Sequence, residues 1–280
     1  MRIVTRLVIV LGLLLAVAAV QAQSQDAGQP RASEMLPLIR AHAHNDYHHT
    51  RPLLDALDHG FCSVEADIFL VDGQLLVGHV PTELKPERTL QALYLDPLRR
   101  RVQDNGGRVY RNGPPLTLMI DVKTDAGRTY TVLAEVLSGY AEMLTSVCSG
   151  VVEERAVTVI ISGNRAEQVV ADAPLRYVGI DGRLVDLDTQ RPSPLVPLIS
   201  DNWRNHFRWR GQGPMPEQER QKLRGIVEKA HEKGRRVRFW ATPDDPAVWR
   251  ELADAGVDLL NADDLAGLER FLRAQHPKER

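Results

Sequence analysis

The chain has 280 residues, 43% hydrophobic and 26% charged, with a net charge of -2. A disordered chain would be poorer in apolar residues, and a disulfide scaffold would carry far more than 2 cysteines. The near-neutral balance excludes a strongly basic nucleic-acid binder, so no nucleic-acid partner is expected; the length suits one large α/β domain or two smaller ones.

Arg2 and Arg6 precede an apolar run over residues 7–20, and Val20-Gln21-Ala22 ends it with small residues. The run is shorter than the roughly 20 residues of a spanning helix, so residues 1–22 read as an export signal rather than an anchor. That places the protein in the periplasm or outside the cell. Residues 23–35 are polar with Gly and Pro and read as a flexible lead-in, leaving 36–280 for the folded domain. Export permits a disulfide, for which Cys62 and Cys148 are the sole partners. Pairing and two free thiols are equally compatible with the sequence.

From residue 36 onward, short β-rich runs alternate with longer amphipathic ones. Strands are expected at 38–41, 63–71, 116–122, 157–161, 177–180, 195–199, 237–240 and 257–260. Asp72-Gly73 signals a hairpin into 75–77. Helices are expected at 51–59, 90–102, 129–144, 166–173, 217–233 (closed by Gly234), 246–255 (stopped by Gly256) and 265–274. Continuous β-branched strands covered by helices imply a parallel sheet buried on both faces. About eight such units favour a closed (β/α)8 TIM barrel in a single domain over an open doubly wound sheet. No glycine-rich phosphate loop is present to argue for a nucleotide fold.

Active sites of such barrels lie at the C-terminal ends of the strands. The first strand runs into His42-Ala43-His44-Asn45-Asp46-Tyr47, the second carries Glu65-Ala66-Asp67 and leads past the hairpin to His79, and the third carries Asp121-Val122-Lys123. Alternation puts Glu65 and Asp67 on one side, and Asp121 and Lys123 likewise. Three carboxylates meeting inside a barrel repel one another unless a cation sits among them, and oxygen donors suit Mg2+ or Ca2+. Two imidazoles beside a divalent ion and a lysine suit a phosphate ester. Each residue also has an ordinary reading: Glu-x-Asp is commonly a solvated strand face, a single His after a strand is commonly surface, and Lys123 alone could neutralise Asp121. His48, His49, His59, His206, His231 and His276 read as structural or surface. Trp240 ends the seventh strand and reads equally as pocket wall or core.

The ordered set resembles the superfamily of phosphatidylinositol-specific phospholipase C and glycerophosphodiester phosphodiesterase, which includes spider-venom sphingomyelinase D. Ala41-His42, Gly60, Glu65-Ala66-Asp67, Asp72-Gly73 and His79 match its hallmark in order and spacing. Asp121-Val122-Lys123-Thr124, His42-Ala43-His44-Asn45, Phe239-Trp240-Ala241-Thr242 and Ala255-Gly256-Val257-Asp258 resemble further elements of it. The resemblance implies metal ligands at Glu65, Asp67 and Asp121, acid/base histidines at His42 and His79, a phosphate contact from Lys123 and a pocket wall at Trp240. His44 and Asn45 are also placed against the substrate, and His42 and His44 compete for one acid/base role. The chain departs from glycerophosphodiesterases in lacking Arg-Gly after the first histidine and Asp after His79, where Val80 stands.

The expected function is therefore a secreted, metal-dependent phosphoric diester hydrolase acting on a phosphodiester or phospholipid, a substrate class compatible with peripheral membrane contact. Two other functions compete with it. His42-x-His44 could open the metal motif of an amidohydrolase-like or polymerase-and-histidinol-phosphatase-like metallohydrolase. A barrel that binds a ligand without catalysis is the other.

Overall fold

The computed structural model describes residues 35–275, and its organisation follows from the β-rich runs. The export signal expected at 1–22 and nearly all of the lead-in lie outside the described residues. Eight parallel strands run in chain order: β1 (Leu38–Ala43), β2 (Phe61–Val71), β4 (Leu116–Val122), β7 (Val157–Gly163), β9 (Val178–Gly182), β10 (Leu198–Asn202), β11 (Arg236–Trp240) and β12 (Leu260–Ala262). Each pairs with its predecessor in this series, except that β12 returns to β1. Between β11 and β12 there is a single parallel bridge, Arg238 to Leu259, so the sheet nearly closes into a barrel. The TIM-like fold expected from the alternating pattern is the fold observed.

The hairpin forms where Asp72-Gly73 predicts it. Both residues have positive φ, 48° and 80°, as a two-residue type I′ turn requires, and β3 (Gln74–Val77) folds back antiparallel on β2. Asp125 and Asp245 cap the helices Ala126–Ser138 and Pro246–Asp254 by accepting from backbone N–H groups, so those helices start at an acid. The helix expected at 129–144 ends at Ser138, where Gly139 follows. The strand expected at 195–199 begins only at Leu198, because Pro197 has no N–H for the ladder. The helix expected at 90–102 is a π-helical turn, Gln91–Leu95, leading into Asp96–Asp104.

A second sheet was not expected. β5 (Ser146–Cys148), β6 (Val151–Glu153) and β8 (Leu175–Arg176) form a separate three-stranded sheet. Strands of two or three residues carry no readable alternation, and the signal available was the Ser149-Gly150 turn, with φ of 49° and 85°. Cys148 lies exposed on β5 and Cys62 is buried on β2; both are free thiols.

Alternation carries the odd-numbered residues of β4 and the even-numbered ones of β7 into the barrel. Met119, Ile160, Leu198 and Leu259 meet there as a fully buried apolar layer. Two residues further along each strand the interior turns polar, with Asp121, Ser162, Ser200 and Asn261. The apolar layer thus forms the floor of a polar basin at the C-terminal mouth.

Candidate active site

Register explains why the acids meet. Asp67 of β2 pairs with Asp121 of β4, and Asp121 with Ser162 of β7, in one rung of the parallel sheet. Adjacent strands lie about 4.8 Å apart, so carboxylates on one rung are neighbours. Glu65 stands two residues before Asp67 on the same side. Ligand oxygens of Glu65, Asp67 and Asp121 all lie within 4.8 Å of one another. Gly163 follows Ser162 with φ of 67°, and a Cβ there would collide with Asp121 Oδ1, so glycine leaves room for that carboxylate.

Two cations partly balance the three acids. Lys123 Nζ lies 2.9 Å from Asp67 Oδ2 and 3.2 Å from Asp121 Oδ1. Arg238, buried inside the barrel, donates to Glu65 Oε2 at 2.8 Å and to Asn261 Oδ1 at 2.6 Å. Burial pushes the Glu65 carboxyl upward, but Arg238 and the hydrogen bond to His42 override it and hold it below the usual carboxylate range. Burial pushes Asp121 up to about 6, partly offset by Lys123 and reinforced by Asp67 and Glu65. Asp67 Oδ1 is buried and has no hydrogen-bond partner. An orphaned carboxylate oxygen within a cluster of three acids, which keeps a net negative charge against two fixed cations, fits a hard divalent ion bound by oxygen.

His42 of β1 and His44, in the turn just past it, part company. His42 is wholly enclosed: its Nδ1 lies 2.7 Å from Ser63 Oγ and its Nε2 3.3 Å from Glu65 Oε2. Burial, then Arg238, pulls its pKa down to about 3, so it is a neutral ring with both nitrogens engaged. The expectation that His42 faces the pocket as an acid/base group is not met by this placement. His44 takes the pocket position instead. Its Nδ1 lies 2.8 Å from Asp263 Oδ1 and 2.9 Å from Asn45 Nδ2. His79 is anchored the same way, with Nδ1 3.0 Å from Asp67 Oδ2. His44, Asn45, His79, Lys123 and Trp240 border one pocket of about 200 Å³ together with the three acids. A metal shared by His42 and His44 is disfavoured, since both His42 nitrogens are engaged elsewhere. Among the described residues, the metal-capable cluster of the site is made of carboxylates.

Sequence reasoning missed several parts. Tyr47 places its hydroxyl 2.7 Å from Asn45 Oδ1, 2.8 Å from Asp67 Oδ2 and 3.0 Å from His79 Nδ1, tying the first loop to the acid cluster. Burial, then Asp67, holds its phenol well above the ordinary value, so it acts as a hydrogen-bonding strut. Arg183 lines the far wall, pinned by the fully buried Asp181 at 2.7 Å, which also accepts from Ser162 and Ser200 at 2.7 Å each. Two-residue spacing was the available signal: Arg238 precedes Trp240, and Asp181 precedes Arg183, by one full strand period.

Comparison with known proteins places these features in context. Residues 31–181 match the family model described as the AIM6-like phosphodiesterase domain, and residues 236–266 match the glycerophosphoryl diester phosphodiesterase family. The chain is 30% identical over 297 residues to Altered inheritance of mitochondria protein 6 of Eremothecium gossypii, covering 92% of this chain and 76% of that one. It is 32% identical over 256 residues to the homologous protein of Arthroderma benhamiae, covering 81% and 82%. Among solved structures, a calcium-dependent phosphoinositol-specific phospholipase C from Pseudomonas superposes with a TM-score of 0.56 at 13% identity, covering 85% of this chain and 93% of that one. A glycerophosphodiester phosphodiesterase from Parabacteroides distasonis gives 0.52 at 14% identity, covering 84% and 97%. At these identities the likeness is one of fold.

Proposed function

The chain belongs to the family of AIM6-like phosphodiesterase domains, and from that premise we propose that it is a metal-dependent phosphoric diester hydrolase working at the C-terminal mouth of its barrel. The observation that carries this reading is the pair His44 and His79. Each imidazole is held through Nδ1 by a carboxylate, Asp263 or Asp67, and both border the pocket that contains the acid cluster. A carboxylate on Nδ1 fixes ring and tautomer and leaves Nε2 to move a proton.

Glu65, Asp67 and Asp121 would hold the divalent ion, Mg2+ or Ca2+. When bound, the ion supplies a positive charge that stabilises the non-bridging oxygens of the reacting phosphate. Lys123 adds a fixed positive charge beside the same oxygens. One imidazole takes the proton from the nucleophile, which is water or a neighbouring hydroxyl of the substrate. The other gives a proton to the leaving oxygen, so the substrate's proton balance closes within the pocket. A neighbouring hydroxyl yields a cyclic phosphate and water yields the open monoester. Tyr47 keeps Asp67 and His79 in register, and Trp240 and Arg183 bound the head-group side. The pocket has room for a phosphodiester and a small head group, so acyl chains of a phospholipid would stay outside it, at a membrane surface. The N-terminal pattern of Arg2, Arg6 and the apolar run supports export to where such lipids are met.

The test is a hydrolysis screen of glycerophosphodiesters, phosphatidylinositol, lysophospholipids and sphingomyelin, with and without EDTA, with products separated into cyclic and open phosphates. We expect cleavage of at least one diester, loss with EDTA and recovery with excess Mg2+ or Ca2+. Absence of cleavage across the panel with either ion, or cleavage indifferent to EDTA, overturns the reading.

A further inference from the structure

A second cavity lies at the opposite, N-terminal mouth of the barrel and measures about 590 Å³. Arg40 of β1 and Arg236 of β11 both line it. Arg236 reaches across the barrel to donate to Thr117 Oγ1 at 3.1 Å, and Arg40 donates to the carbonyls of Ala253 and Val257. Among the described residues neither guanidinium forms an ion pair. This contrasts with Arg183 and Arg238 at the catalytic mouth, each of which holds a carboxylate. Two acids do border the cavity, but both are engaged elsewhere. Asp258 Oδ2 accepts from Val237 N–H at 2.7 Å and lies 2.8 Å from His231 Nε2, while Glu154 faces Arg108 at the rim.

Asp258 acts on both guanidinium groups and Asp254 on Arg40, but no carboxylate touches either, and a guanidinium drawn out of water without a contacting counter-charge is costly, so an anion held by both would offset that cost. Burial pulls both arginine pKa values downward, with Asp258 opposing it only in part. The rest of the wall is mixed: Thr117 and Thr158 are polar, and Ile39, Cys62, Pro114, Pro115 and Val257 are apolar. Ile39, on β1, stands 63% exposed, and Pro114 and Pro115 line the same cavity. The Met119, Ile160, Leu198 and Leu259 layer separates this cavity from the polar basin above.

We propose that the N-terminal cavity is a second ligand site, which takes an anionic head on Arg40 and Arg236 and a short apolar chain on Ile39, Pro114 and Pro115. The shared chemistry is a carboxylate or phosphate monoester carrying an alkyl chain. The site is independent of the phosphodiesterase reading and survives its failure.

Calorimetric titration of the full chain in EDTA, which removes metal-assisted binding at the catalytic mouth, tests the proposal. The probes are decanoate, decyl phosphate, decanol and inorganic phosphate, all below their micelle thresholds. Decanoate or decyl phosphate should bind with one-to-one stoichiometry and at least tenfold more tightly than decanol or inorganic phosphate; the tighter of the two names the head group. Arg236→Gln should weaken that binding at least tenfold. Ile39→Glu, at an exposed position that leaves the core intact, should do the same by placing a negative charge at the rim. Equal binding of decanol overturns the anionic head, and equal binding of inorganic phosphate overturns the apolar chain. Unchanged affinity in Ile39→Glu, or no binding of either chain-bearing anion, overturns the site.

Discussion

His42 and His44 are two residues apart, the first on β1 and the second in the turn after it, and play different parts. The sequence makes both visible but cannot rank them, because what separates them comes from other strands. Ser63 and Glu65 of β2 enclose His42, whereas Asp263, just past β12, holds His44 at the pocket. The acid cluster was legible as an ordered set, since Glu-x-Asp and Asp-x-Lys each have an ordinary reading alone but fall at the same end of successive apolar strands. The partners Arg238, Tyr47 and Asp181 were harder to read: two-residue spacing puts Arg238 on the side of Trp240 and Asp181 on that of Arg183, but which acid or loop each one meets depends on register. Substitutions resolve the two histidines. His44→Ala and His79→Ala should each lower kcat about 10²- to 10⁴-fold, the range of general acid/base groups, with Tm unchanged. His42→Ala should instead destabilise the fold by about 1–3 kcal/mol, because it strips hydrogen-bond partners from buried groups. If His42→Ala abolishes turnover at unchanged Tm while His44→Ala retains it, the two roles are reversed.

At the scale of elements, the strands and the Asp-Gly hairpin were legible because period-2 alternation and turn chemistry are local. The loop after β1 was not, since its anchor is a buried acid whose partners lie far along the chain. Asp46 Oδ2 accepts from Leu53 N–H at 2.5 Å and from the Tyr94 hydroxyl at 2.9 Å, and so ties the turn Asp46–His48 to the helix Leu54–Asp58. Its Oδ1 is buried without a partner. Burial pushes this carboxyl up to about 7, with the two hydrogen bonds opposing in part. Unfolded, the group titrates near 4. Between about pH 4 and pH 7 the unfolded chain has released the proton and the folded chain retains it, so stability falls as pH rises through that window. The contribution is fully present below about pH 4 and gone above about pH 7, and three units correspond to about 4 kcal/mol. Asp46→Asn keeps an oxygen for Leu53 and Tyr94 and has nothing to titrate. Urea unfolding of both proteins should therefore show the wild type losing stability relative to Asp46→Asn between pH 4 and pH 7. A constant difference across that range rejects the raised value.

At the scale of the whole molecule, about eight alternating units made the barrel legible, and closure is what turns scattered acids into a site. Glu65 and Asp67 come from β2, Asp121 from β4, and their compensating Lys123 and Arg238 from the residue just past β4 and from β11, so the cluster exists only in the folded chain. Three carboxylates against two fixed cations leave a net negative charge inside the basin, and the native state bears that repulsion when no ion is present. An ion that binds the folded and not the unfolded chain must therefore stabilise the fold. At a hundred times its Kd the gain is about 2.7 kcal/mol. For a domain of this size that corresponds to a rise in Tm of roughly 5–10 °C. Thermal unfolding in EDTA, in excess Mg2+ and in excess Ca2+ measures it without reference to any substrate. The rise should vanish in the Asp67→Asn, Asp121→Asn double variant, whatever that variant's own Tm, because the removed charges are the ones the ion neutralises. A wild-type Tm indifferent to both ions, or an equal rise in the double variant, would show that Lys123 and Arg238 alone satisfy the cluster and that it is not a metal site.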